Sequence, residues 1–363
     1  MIAPLLAFLS VAGSCYAFFA PATEPKWYVA SLIVPLAFLL RDRRPFPGDL
    51  PGIAFLAWSA LSILWAMSWP DALQTWWHWA LLAGMVVLGA GCDLRRCVQA
   101  YGAGLAIGLI FVWAQYRGYE WAPEFAAQAG EYPGLLFNSN YAAEASALGL
   151  VAAVAFRQWW IVPLALLGLA ANPSRGAGLM IFAALAFWVW QKNRKAGVAL
   201  TILVIATTVG HVAWLGLDSG LIAGRLSLWV NSLTLIDFTG YGIGSFYHAF
   251  PLANDALIPT REEVFRFGVY PNTAHNDFLT LAVEVGLIGL AFFLWFLLIL
   301  VRQPGPGRYL IIAGMADALV NFPLHVPSTA FLLALAAGHV LGSWRIVRSE
   351  RGHVRVGVPQ RIP

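Results

Sequence analysis

Apolar runs of roughly 15–25 residues recur along the entire chain, and that recurrence decides what it can fold into. Wound as a helix, a run of that length matches the hydrocarbon thickness of a bilayer and satisfies its own backbone hydrogen bonds there. Twelve such stretches can be drawn, at 2–20, 26–40, 51–68, 75–92, 96–115, 139–156, 158–172, 176–191, 196–215, 274–301, 308–322 and 326–344. Of 363 residues, 60% are hydrophobic and only 11% charged, too little charge to cover a soluble domain of this size. The expected fold is all-α: a polytopic integral membrane protein, one membrane domain of about 12 transmembrane helices. One large loop, 216–273, lies between the ninth and tenth, and a basic tail, 345–363, follows the last.

Basic residues orient this array. With the N-terminus in the cytoplasm, the inner loops and tail collect 16 of the 22 Lys and Arg, including Arg41, Arg43, Arg44, Lys192, Arg194 and Lys195. The outer side keeps Lys26, Arg117, Arg175, Arg225, Arg261 and Arg266. Both termini are then cytoplasmic and the 216–273 loop is outside. The net charge of +4 is mostly this orientation signal; the tail can touch anionic membrane lipids, and nothing argues for nucleic acid. The run Ile2–Ala20 lacks a positive leading region and reads as a helix, not a cleaved signal. Cys15, Cys92 and Cys97 have neither CxxC nor metal-ligand spacing.

The chemistry-bearing stretch is Pro271-Asn272-Thr273-Ala274-His275-Asn276-Asp277, a polar turn opening into a long apolar helix. Asn272 or Thr273 is expected to cap the first turn, with Asp277 complementing the helix dipole. On a continuous helix, Gly286 and Gly289 fall within roughly 40° of His275, which would set the imidazole at the lip of a bare-backbone groove. Two further helices start on the outer side in similar style, after Asn138-Ser139-Asn140 and after Asn172-Pro173-Ser174-Arg175. Their free N–H groups, together with Arg175 and Arg225, read as a site for phosphate at the outer interface.

Each feature has a plainer explanation. Arg175 can snorkel to headgroups, Arg225 can brace a surface helix, and His275 can be an interfacial hydrogen-bonded histidine. His248 and His325 are outer-side histidines without such settings, and Arg261 and Arg266 flank Glu262-Glu263 as exposed pairs of little consequence. Glu144, Glu284 and Asp317 lie inside apolar stretches, where ionisable groups either pair between helices or serve a site. They also keep a transporter or flippase in play. No D-x-D pair, zinc spacing, Walker loop or nucleophile elbow occurs, so the chemistry expected is metal-independent and uses no cofactor.

The motif His275-Asn276, nine residues, Gly286, two residues, Gly289 resembles the H-N-x9-G-x-x-G signature of the O-antigen ligase and polymerase superfamily of envelope glycosyltransferases. Ser174-Arg175-Gly176-Ala177, Arg225 with Gly240-Tyr241-Gly242-Ile243-Gly244-Ser245-Phe246, and Asn138–Asn140 are similar to further family segments, although Ser139 stands where the family has proline. The resemblance spans roughly 133–345. It implies a bacterial inner-membrane enzyme whose active site faces the periplasm. Such an enzyme transfers a glycan from undecaprenyl diphosphate to lipid A core, or in related members to another glycan or a protein hydroxyl. Carried over residue by residue, His275 would be catalytic, and Arg175, Arg225 and Asn276 would bind the diphosphate. Glu144, Glu284, Asn138 and Asn140 are candidates to support them.

Overall fold

A computed structural model describes residues 2–14, 23–39, 50–119, 132–215, 220–253 and 271–353. Cys15, Arg41, Arg43, Arg44, Arg261, Glu262, Glu263, Arg266 and the stretch 354–363 lie outside the described residues, as do the side chains of 344–353. Among the described residues the secondary structure is entirely helical, as expected. The helices are α1 (Ile2–Ala12), α2 (Glu24–Leu39), α3 (Leu50–Ser62), α4 (Trp69–Gly89), α5 (Leu94–Tyr116), α6 (Ser139–Ala155), α7 (Ile161–Ala171) and α8 (Arg175–Lys192). They continue with α9 (Arg194–Leu215), α10 (Gly220–Thr234), the single turn α11 (Phe246–Ala249), α12 (Asp277–Glu284), α13 (Gly286–Arg302), α14 (Gly307–Ala318) and α15 (Pro327–His353).

Each of the twelve apolar stretches contains a helix, but one of them is broken. The run expected as one helix over 274–301 divides at Val285–Gly286, where Gly286 takes φ +67°. Among the described residues, Leu94–Tyr116 is the helix that is by itself long and apolar enough to cross a membrane. Ile2–Ala12, Leu50–Trp65, Ile161–Ala171, Gly286–Arg302 and Pro327–Ser343 are apolar but shorter.

The centre of the bundle is α6, an alanine-rich helix buried on nearly every face, with Ala143, Ala145, Ala147, Leu148 and Ala152 inaccessible. Small side chains let α5, α7, α8 and α14 pack closely around it. Large apolar side chains point outward from the helices instead: Leu32 is 76% exposed, Leu167 60% and Ile202 61%. A second, smaller apolar core lies outside the bundle. There α10 and the segments around Phe246–Phe250 and Ala274–Val283 bury Leu228, Leu235, Phe246, Phe250 and Val283 against each other. The described part of the long 216–273 loop, with α12, is thus a packed unit set on the bundle.

Candidate functional site

Three helix starts surround the candidate site. Asn138 caps α6, its Oδ1 accepting from the backbone of Asn140 at 2.9 Å and Tyr141 at 3.3 Å. Asn138 and Asn140 are both exposed. Helix α8 begins at Arg175, behind Ser174, whose side chain makes no capping bond. The third start differs from expectation. Asn276, and not Asn272 or Thr273, caps α12, with Oδ1 accepting from Leu279 N at 3.0 Å. His275 therefore precedes the helix and does not occupy its first turn.

His275 adopts φ +48°, a left-handed conformation that costs a non-glycine residue about 1–2 kcal/mol. Neighbouring bonds hold it there. Trp229 Nε1 of α10 donates to Ala274 O at 3.0 Å, and Ala274 N donates to Thr280 Oγ1 at 3.0 Å. The imidazole packs edge-on against Phe322, with ring centroids 5.0 Å apart. Its Nδ1 is buried and has no hydrogen-bond partner among the described residues. Burial, with the Arg225 cation nearby, lowers its pKa to about 4, so the ring is neutral at neutral pH.

The expected glycine groove beneath His275 does not form, because the helix is broken. A Cβ on Gly286 would run into Phe238 O, and one on Gly240 into Glu284 O. The glycines let two stretches of backbone touch. Tyr241 N and Gly242 N donate to Val283 O and Glu284 O at 2.9 and 2.8 Å, and Leu287 N to Asp237 O at 2.9 Å. Trp58 and Trp65 donate to Val285 O and Gly240 O, at 2.8 and 3.0 Å. The glycine-rich turn is a dock between the α3–α4 linker and the α12–α13 break. Glu284 belongs to this dock: it is buried, and its Oε1 accepts from Phe246 N at 3.3 Å.

Arg225 comes from α10 and donates to Asn321 Oδ1 at 3.2 Å; Asn321 in turn donates to Asp317 Oδ1 at 2.8 Å. Burial pulls the Arg225 pKa below its ordinary value; Arg175 acts in the same direction, and Glu144 and Asp317 oppose it. It nevertheless remains a cation. Arg175 is exposed and within electrostatic reach of Arg225. Among the described residues the ion pairs are Asp93–Arg96, Asp71–His248 and Asp277–His325, and neither arginine is in one. Two cations within electrostatic reach of each other, neither in an ion pair among the described residues and one at a helix start without a side-chain cap, have the chemistry to receive an anion.

The turn from Leu319 to Val326, between α14 and α15, joins these parts. Besides holding Arg225 and packing on His275, it accepts from Asn276 Nδ2 at Leu319 O, 2.9 Å. Its Leu324 N donates to Asp277 Oδ2 at 3.1 Å, and His325 Nδ1 lies 2.9 Å from Asp277 Oδ1. Phe322 also packs edge-on to Tyr141 of α6, centroids 6.0 Å apart. Glu144, buried on α6, lies within electrostatic reach of Asp277, Asp317 and Arg225. The structure thus brings together His275, Arg175, Arg225, Asn276 and Glu144, and sets Glu284 at the far end of α12. Sequence reasoning missed Asn321 and Phe322, and it gave His325 no setting. The only signal was a short polar turn with Asn, Pro and His between two apolar stretches.

Asn276 is engaged at both ends of its amide, which makes it a brace of the turn. Among the described residues no group of three or more His, Cys, Asp or Glu is arranged to hold a metal ion. Beneath the site an apolar cavity of about 90 Å³ reaches Phe278 and Leu324. It shares Trp79, Leu82, Val86, Phe293 and Phe296 with a groove of about 420 Å³ between α3, α4 and α13.

A search of curated proteins gives no match to this chain. Residues 160–294, a segment that carries Arg175, Arg225 and His275, match the family described as O-antigen ligase. Over that segment the chain is similar to the O-antigen ligase family, in keeping with the resemblance to the ligase and polymerase superfamily that its motifs carry.

Proposed function

We propose that the chain is a metal-independent membrane glycosyltransferase of the ligase type, moving a glycan from undecaprenyl diphosphate to lipid A core. It would act at the periplasmic face of the bacterial inner membrane, with both termini cytoplasmic. The observation that carries this reading is the pair Arg175 and Arg225, two cations without an ion-pair partner among the described residues and within reach of each other, Arg225 also within reach of a neutral His275. An anionic leaving group and a hydroxyl to be deprotonated are what such a set can serve.

In this mechanism the acceptor hydroxyl gives its proton to His275 as its oxygen attacks the anomeric carbon. The bond from that carbon to the diphosphate oxygen breaks, and undecaprenyl diphosphate departs with the bonding electrons. Arg175 and Arg225 stabilise the charge that develops on it. A depressed imidazole pKa keeps His275 able to accept the proton at neutral pH. Asn276 contributes by fixing the turn that presents His275, and Glu144 lies buried within electrostatic reach of Arg225 as a supporting group. Asn138 and Asn140 form the neighbouring helix start. The apolar groove between α3, α4 and α13 and the outward-facing Leu32, Leu167 and Ile202 suit a lipid-borne donor in a lipid environment.

The test combines the envelope glycan of a deletion strain with transfer by purified protein. Lipid A core lacking long chains, restored by wild type but not by His275→Ala or His275→Gln, is the ligase outcome. Single repeat units on the core would assign a polymerase, and a missing pilin or other protein glycan an oligosaccharyltransferase. Unchanged glycan output with a wild-type level of the variants in the membrane would overturn the enzymatic reading.

A further inference from the structure

One pair of ionisable groups takes no part in the anion site or the proton transfer, and its placement calls for a role. Asp277 is wholly inaccessible, yet both its carboxylate oxygens are taken by the turn that follows α14: Oδ2 accepts from Leu324 N at 3.1 Å and Oδ1 lies 2.9 Å from His325 Nδ1. Within the same few residues that turn holds Arg225 through Asn321, at 3.2 Å, and backs His275 with the ring of Phe322, at 5.0 Å. The residue that accepts from Arg225, Asn321, and the acceptor of the α12 cap Asn276, Leu319 O, thus lie on one turn.

We propose that His325 is a positioning residue of the site: paired with Asp277, it fastens the Leu319–Val326 turn to the start of α12 and so sets the spacing of Arg225 and His275. The two site residues reach this place from different elements, α10 and the loop before α12, and the turn touches both. If the turn shifts against α12, the distance between the anion-binding guanidinium and the imidazole changes with it. Misplacement of reacting groups by a fraction of an ångström to an ångström is costly in rate.

The groups that face His325 are Asp277 and Glu284 from α12 and His78 from α4, with the edge of Trp79 packed at 6.2 Å between ring centroids. Burial pulls the His325 pKa down, but Asp277, its bond, and Glu284 outweigh that and leave it above the ordinary histidine value of 6.5. A raised folded-state value means the pair's contribution is fully present below the ordinary range and is lost as pH rises through the raised value. The fastening is therefore a charge-assisted bond at neutral pH and a weaker, neutral one in mild alkali.

The inference rests on the glycosyl-transfer reading only for its kinetic arm. Full-length wild type, His325→Asn and His325→Ala are compared in detergent for transfer from an undecaprenyl-diphosphate-linked glycan and for thermal unfolding, each across mildly acid to mildly alkaline pH. Asparagine keeps an N–H donor near the Nδ1 position and cannot be charged. Wild type is expected to lose kcat/KM on the alkaline side, with its unfolding midpoint falling over the same interval. In His325→Asn, kcat/KM at neutral pH is expected to fall about tenfold, and both alkaline dependences to vanish. His325→Ala is expected to lose more than His325→Asn, and part of that loss returns with asparagine. An alkaline limb that persists unchanged in His325→Asn, or a wild-type midpoint independent of pH, overturns the proposal. If wild type transfers no glycan, the functional reading fails, and the unfolding comparison alone still decides whether the Asp277–His325 fastening exists.

Discussion

Arg225 of α10 donates to the side-chain oxygen of Asn321, 96 residues further along the chain, at 3.2 Å. Asn321 has little freedom to give way, because its own amide donates to the buried Asp317 at 2.8 Å. Arg225 is therefore aimed by a residue that is itself held, on a turn that also backs His275.

That arrangement separates two glycines of the Arg175 motif. A Cβ at Gly176 would strike Asn321 Nδ2 and approach Asp317 Oδ1 to 2.7 Å, whereas one at Gly178 meets nothing within 4 Å. Gly176→Ala and Asn321→Ala are expected to lower kcat/KM by roughly ten- to hundredfold, since each loosens a hydrogen bond to a charged group. Gly178→Ala is expected to be neutral or slightly stabilising, because alanine is the better helix former. Equal behaviour of the two alanine variants would show that the Asn321 contact does not matter.

Gly286 serves the fold rather than the chemistry. At φ +67° and against Phe238 O, alanine there incurs about 1–2 kcal/mol of backbone cost and a steric clash besides. Gly286→Ala is expected to give less folded protein and a lower unfolding midpoint, with the surviving fraction still able to transfer. Normal stability with lost activity would return Gly286 to the active site.

The pH profile of kcat/KM reports on His275 in the free enzyme. An ordinary histidine protonates near 6.5, but burial and Arg225 hold His275 at about 4. A lowered value means that the base form is retained as pH falls below neutrality and is lost only as pH passes through about 4. The acid limb of kcat/KM is expected close to that value and absent near 6.5. A limb at the ordinary histidine value would show that the ring is solvated.

Arg175 is exposed and belongs to no ion pair within the described residues, so its fork of donors is open to a ligand. Lysine keeps the charge but loses the two-pronged geometry that suits phosphate oxygens. Arg175→Lys is expected to insert and fold normally, with transfer reduced at least about tenfold. Activity near wild type would mean that a point charge suffices.

A reaction run by arginine and histidine needs no divalent ion. Transfer from purified lipid-linked donor is expected to proceed unchanged in EDTA. A strict magnesium or manganese requirement would redirect attention to Asp277, Asp237 and the stretch outside the described residues.

The sequence alone determined the all-helical class and the position of nearly every helix, because apolar run length and the polar breaks between runs are local properties. It likewise singled out Arg175, Arg225 and His275 as candidates, because they stand out as charged or titratable residues at helix starts and in the long loop. It misjudged the helix over 274–301, since hydropathy does not register a break at Gly286. That break is required by a glycine turn some 40 residues earlier, whose backbone docks against it. For the same reason the stripe of glycines below His275 proved to be a packing contact. The partners Asn321, Phe322 and His325 were present in the sequence as an unremarkable turn between apolar stretches. Only the tertiary structure could give them roles, because Asn321–Arg225 and His325–Asp277 are pairings across 96 and 48 residues of chain. Such pairings are set by how α10, α12 and α14 pack, which no local pattern encodes.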